Sequence, residues 1–71
     1  MGITIRDLLA KYTDDEKLIE QIDTLLDKFS EIESIYEFLS APMEYFIEIP
    51  FITIEMCELI DKVKRNELQT A

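Results

Sequence analysis

The 71-residue chain has no histidine and no tryptophan, one glycine (Gly2), one cysteine (Cys57) and two prolines (Pro42 and Pro50). Without histidine the commonest general base is missing, and a lone cysteine supplies neither an intrachain disulfide nor the ligands of a tetrahedral zinc site. A single glycine leaves no phosphate-cradling loop and no EF-hand turn. The residues therefore assign no catalytic group, cofactor or metal, and the chain reads as a binding protein, not an enzyme. Long apolar runs are missing too. The longest uncharged stretches, "FLSAPM" and "IPFITI", hold six residues each, against about 20 for a bilayer span. "MGITIRD" lacks the cationic and apolar segments of a secretory leader, and Arg6 stands where the myristoylation pattern wants Ser or Thr. These features predict a soluble, cytoplasmic protein with no membrane partner.

Positive charge is scarce. Seven bases face sixteen acids for a net charge of −9. From Lys28 to Lys62 no base interrupts Glu31, Glu33, Glu37, Glu44, Glu48, Glu55, Glu58 and Asp61. Such a field repels phosphates, and "KVKR" is too small a patch to reverse it, so direct nucleic-acid binding is not expected. A basic protein surface is the natural complement, as found on nucleic-acid-binding proteins and enzymes.

What is present in abundance is apolar surface, 48% of residues. A chain this short buries only about 60% of the surface its unfolded form exposes. With disulfide and metal set aside, association with another chain, a homodimer included, is the remaining way to supplement a small core.

The apolar residues follow helical spacing. "TIRDLLAKY" begins with a capping box, Thr4 to Asp7, and places Ile5, Leu8, Leu9 and Tyr12 on one face. A second box is read at Thr13 to Glu16. From there Leu18, Ile22, Leu25, Phe29, Ile32, Tyr36 and Leu39 recur at steps of 4 and 3, which predicts one long amphipathic helix as a spine over 13–39. Ile19, Leu26 and Ile35 widen its apolar face beyond a two-stranded coil, so a bundle is preferred. "SEIE", from Ser30, is a third box that would divide the helix. Pro42 ends the run.

"MEYFIEIPFITIEM", residues 43 to 56, carries nine large apolar side chains. Residues 43–49 fit both the strand and the helix period, with a helical turn favoured because a strand finds a partner only in "GITI". Ile49 precedes Pro50 and tends to extended geometry, while Thr53 caps a final helix that turns Met56, Leu59, Ile60 and Val63 to the core. The segment is thus two pieces joined at a bend. Glu55 at the start of that helix and Lys62, Lys64 and Arg65 toward its end match its dipole.

Glu16, Glu20, Asp23, Asp27 and Glu31, spaced 4, 3, 4 and 4, form a carboxylate stripe opposite the apolar seam. A solvated face explains such a stripe; mimicry of a phosphate backbone is the sharper alternative. The stripe carries roughly one charge per 5.6 Å of helix, against about 3.4 Å per phosphate along a DNA strand. One stripe is too sparse, and two would come closer. Together with Glu44 and Glu48 these five are the candidate partner-binding residues. Cys57, with no base or cation beside it in the same turn, reads as a small core residue.

"IESIYEF" around Ser34, then "YFIEIP", then "TIEMCELIDKV" resemble acyl carrier proteins, small acidic helical domains with a phosphopantetheine arm on a central serine. The resemblance covers about half the chain and implies Ser34 as the attachment site. Glu33 and Ile35 replace the family's aspartate and leucine, Pro42 falls where its second helix is continuous, and the loop after "IEIP" is nearly absent.

The residues thus predict a single all-α domain over 1–71, a bundle of three to four helices with one long amphipathic helix, completed alone or by oligomerisation. The expected function is an acidic inhibitor or regulator that covers a basic protein surface, with the carboxylate stripe steering the encounter and exposed members of "MEYFIEIPF" anchoring the complex. A carrier-like domain modified on Ser34 and a structural homo-oligomer are the alternatives.

Overall fold

The computed structural model describes residues 2–69. All regular structure among them is helical: α1 (Ile5–Ala10), α2 (Glu16–Phe29), α3 (Ile35–Ser40), α4 (Met43–Ile47) and α5 (Ile54–Gln69). The all-α class and the long amphipathic helix stand. The segments number five where three to four were expected, because residues 13–39 do not form one spine.

Two serines divide it. Ser30 is extended (φ −142°, ψ 167°); its hydroxyl donates to the Leu26 carbonyl at 2.6 Å and accepts the Ile32 amide at 3.2 Å. One side chain closes α2 and directs the chain out of it, adding a second bond to the Leu26 carbonyl, which already accepts the Ser30 amide at 3.2 Å. Ser34 then opens α3 with a capping box: its Oγ accepts the Glu37 amide at 3.1 Å, and the Glu37 carboxylate accepts the Ser34 amide at 3.1 Å and the Glu33 amide at 3.0 Å. The expected box at Ser30 to Glu33 is therefore displaced by four residues. The expected box at Thr13 is displaced as well. Asp15 caps α2 by accepting the Leu18 amide at 3.1 Å, and Thr13 instead accepts the Asp15 amide at 3.2 Å, which orders the approach. The Thr4 to Asp7 box is present in both directions.

The break rotates the buried face of α2. Leu18, Ile19, Ile22 and Leu26 are buried, whereas Leu25 is half-buried and Phe29 and Tyr36 of the heptad seam are exposed. A helix of 3.6 residues per turn that packs on one short neighbour follows a broad stripe, not a strict seven-residue repeat. That neighbour is α1, which buries Ile5, Leu8 and Leu9 and meets α2, α3 and α5.

The fully buried centre is Leu8, Leu9, Ile22, Phe38, Phe46, Ile60 and Val63. Phe38 of α3 and Phe46 of α4 meet at 5.3 Å between ring centroids, tilted by 57°. The favoured helical turn at 43–49 is present as α4, with Pro42 as its N-cap residue at φ −72°. Thr53 caps α5, accepting the Met56 amide at 3.2 Å, and Met56, Leu59, Ile60 and Val63 are buried as expected.

One basic residue has a different place from the one expected. Lys64 is only 8% exposed. Its ammonium donates to the Leu39 carbonyl at 3.0 Å and to the Ala41 carbonyl, and lies 5.6 Å from the Phe46 ring centroid. It thus serves the carboxyl end of α3 instead of the end of its own helix, which runs on to Gln69. Burial pulls its pKa below the usual lysine range, opposed by Asp61. At the other end of α5, Glu67 accepts from the Tyr12 hydroxyl and pairs with Lys11 at 3.2 Å, tying the exit of α1 to the last turns of α5.

Candidate protein-interaction surface

The bend between α4 and α5 is built by alternating inward and outward side chains. Ile49 is buried, Ile52 packs partly against the core and donates its amide to the Ile49 carbonyl at 3.3 Å, and Thr53 starts α5. Between these anchors Phe51 adopts φ 68°. A left-handed backbone costs a non-glycine residue about 1–2 kcal/mol. Phe51 is 81% exposed, so the small buried part of its ring and its contact with Phe29 do little more than offset that cost. Beside it in the chain, Ile54 is 79% and Ile47 59% exposed. The Phe29 ring, itself partly exposed, lies 5.9 Å from that of Phe51. The turn is thus held from inside, and what it presents outside is apolar.

A groove lies on each side of this ridge. Toward α2, about 520 Å³ of space is lined by Leu25, Phe51, Thr53 and Met56, with Lys17 and Glu20 at its edge. Toward α4, about 540 Å³ is lined by Met43, Ile47, Ile52, Ile54 and Cys57, with Glu58 and Asp61 at its edge. Burial pushes the Cys57 thiol up, away from the reactive thiolate. Among the described residues no group of three or more Cys, Asp or Glu side chains is arranged to hold a metal ion.

Of the stripe residues only Glu20 lines either groove. Glu16, Glu20, Asp23 and Asp27 share one side of α2, within a sector of about 60° at 100° per residue. That side borders α1, where Arg6 meets Asp23 at 3.3 Å and neutralises the centre of the row. Glu16, Glu20 and Asp27 are exposed. Glu31 lies beyond the helix in the connection to α3, its amide donating to the Tyr45 hydroxyl at 3.2 Å. Glu44 and Glu48 belong to α4 and its C-cap and are exposed. The five expected stripe residues therefore do not form one helical row, and the α4 pair stands with the bend.

The charge imbalance is sharper at the surface than in composition. Among the described residues Arg6, Lys11 and Arg65 are paired with Asp23, Glu67 and Asp61, and Lys64 is buried. That leaves Lys17, Lys28 and Lys62 as the exposed bases outside these pairs. Ser34 is exposed, with its hydroxyl engaged by Glu37. No helix among the described residues is long and apolar enough to cross a membrane.

Residue patterning placed the apolar anchors within "MEYFIEIPF", which includes Ile47 and Phe51 but not Ile54, and only the backbone reveals that Ile49 and Ile52 turn in while Phe51 and Ile54 turn out. Comparison with family models, curated proteins and solved structures finds no match for this chain.

Proposed function

We propose that the chain acts by binding another protein, as a cytoplasmic acidic inhibitor or regulator that covers a basic surface of a nucleic-acid-binding protein or enzyme. The observation that carries this reading is Phe51, a large aromatic held in a left-handed backbone and left 81% exposed beside Ile47 and Ile54. A strained aromatic left mostly exposed brings the isolated fold little net gain, and exposed apolar groups clustered on one turn are the anchors that binding uses. Surrounding carboxylates supply the steering. A net charge of −9 accelerates encounter with a cationic partner and repels other copies of the chain, which favours a hetero-complex over the structural homo-oligomer. Mimicry of a phosphate strand is the weaker form of the idea, since Asp23 is paired and Glu31 leaves the helical row.

The test is capture from the native host on the immobilised full chain, in parallel with Phe51→Gly and with a Glu20→Lys, Asp27→Lys variant. The expected catch is a basic protein that is released by salt and by duplex DNA, lost with Phe51→Gly and bound more slowly by the charge-reversed chain. Capture unaffected by either change would refute the reading. A phosphopantetheinyl transferase decides the carrier alternative at Ser34: the proposal expects no gain in intact mass, whereas a carrier gains about 340 Da.

A further inference from the structure

Resting on the reading that the chain binds a basic protein surface, we propose that the trough between α4 and the first two turns of α5 seats a cationic amphipathic helix of that partner. The floor and banks are apolar: Met43 and Ile47 from α4, Ile52 below, and Ile54 and Cys57 from α5. Along α5 the trough runs from Ile54 to Asp61, about 12 Å at 1.5 Å per residue. That length receives two turns of a guest helix, whose apolar residues at i, i+4 and i+7 would enter the groove. Both banks are helices, so an extended guest finds no strand edge to pair with.

Charge identifies the guest. Glu58 and Asp61 line the α5 bank. On the other bank, exposed Glu44 and Glu48 follow Met43 and Ile47 directly in sequence, about 100° further around the helix. Asp61 is shared with Arg65 at 3.0 Å, which leaves Glu58 as the unshared charge lining the trough, with Glu44 and Glu48 on the adjoining face of α4 adding to the acidic field that a guest's lysines or arginines would meet. The groove on the α2 side differs, because Lys17 and Glu20 offset one another there. A second copy of this chain would bring another −9 to the same acidic rim. A cationic helix is therefore the occupant that matches shape and charge together.

Cys57 lines the trough and is the chain's only thiol, so it reports occupancy directly. Three labelled peptides of about 14 residues serve as probes, each long enough for four helical turns. One has leucine at i, i+4, i+7 and i+11 with lysine elsewhere; one has the same composition scrambled; one carries glutamate in place of lysine. Binding to the full chain is read by fluorescence anisotropy, and access to Cys57 by the rate of N-ethylmaleimide addition in intact mass. The leucine–lysine helix is expected to slow alkylation by about tenfold or more, and Ile47→Ser or Ile54→Ser to weaken its binding by about tenfold, the effect of losing one anchor. Because both isoleucines are exposed, circular dichroism should show these variants folded. The scrambled and glutamate peptides should leave Cys57 reactive. Equal protection by the scrambled peptide, no protection by any, or unweakened binding by the isoleucine variants would overturn the proposal. So would protection that rises with protein concentration alone, which assigns the trough to a second copy. If the peptides fail while Phe51→Gly still abolishes capture of a basic partner, the helix-in-trough assignment falls and the basic-surface reading stands.

Discussion

Phe51 offers the most direct test of the reasoning, because its backbone and its side chain are expected to act in opposite directions. Phe51→Ala removes the ring and keeps a Cβ at φ 68°. Phe51→Gly removes the same ring and also relieves the left-handed strain. Both lose the tilted contact with Phe29 at 5.9 Å, which at an exposed site is worth about 0.5 kcal/mol. Both lose the buried fringe of a ring that is 81% exposed, roughly 40 Å² or about 1 kcal/mol. These losses cancel when the variants are compared with each other. What remains is a strain relief of about 1–2 kcal/mol, less about 0.5–1 kcal/mol for the extra freedom of glycine in the unfolded chain. At the centre of these ranges glycine should exceed alanine by about 0.75 kcal/mol, which in a domain of this size is a Tm higher by about 3–6 °C. Thermal melts followed by circular dichroism measure this. An alanine variant as stable as the glycine variant, or more so, would refute the strained turn and remove the main support for the ridge as an interaction site. The accompanying expectation is that Phe51→Gly, although the more stable of the two, binds no better than Phe51→Ala.

Lys64→Met keeps apolar volume and removes the ammonium that bonds the Leu39 and Ala41 carbonyls; a loss of about 1–3 kcal/mol is expected, seen as a lower urea midpoint with an unchanged m-value. Tyr12 and Glu67 predict stability that declines at both ends of the pH range. Hydrogen bonding to Glu67 raises the Tyr12 pKa above its ordinary 10.0, so this contribution is complete below that value and is lost as pH rises through the folded-state value. Hydrogen bonds from Tyr12 and then Lys11 lower the Glu67 pKa below its ordinary 4.5, so that contribution is present above 4.5 and is lost as pH falls through the folded-state value. Tyr12→Phe should remove the alkaline decline attributable to this pair and shrink the acid one, and urea titrations at stepped pH that match the parent at both ends would contradict the clasp. Ser34→Ala removes the cap of α3 and should cost about 1 kcal/mol; a Glu37 carboxyl that still titrates below its ordinary range in the variant would show that the Glu33 amide, the largest cause of that depression, suffices to hold it.

Much of the architecture was legible in residue spacing. The capping box at Thr4, the apolar faces of α1 and α5, the helix-ending role of Pro42 and the cap at Thr53 are local features, each set by groups within four residues of one another. The all-helical class follows from them, since short-range hydrogen bonding and a period of 3.6 need no distant partner to be recognised. The division of 13–39 was harder to read for a related reason. Ser30, Ser34 and Thr13 all carry the side chain a cap requires, and which of them caps depends on where Ile32 and Ile19 find a core to enter.

The amino-acid sequence alone determined the helical class, the anionic surplus and the lack of histidine, of a second cysteine and of a glycine-rich loop, because these depend on composition and on neighbours along the chain. Tertiary structure decided which charges remain at the surface and which apolar groups stay outside. Arg6 crosses to Asp23, the Lys64 side chain reaches from α5 to bond the end of α3, and Phe51 is turned outward because Ile49 and Thr53 hold the chain on either side of it. Each of these pairings joins residues distant in sequence or depends on a backbone torsion, and neither quantity is encoded in the order of side chains within a single helical turn.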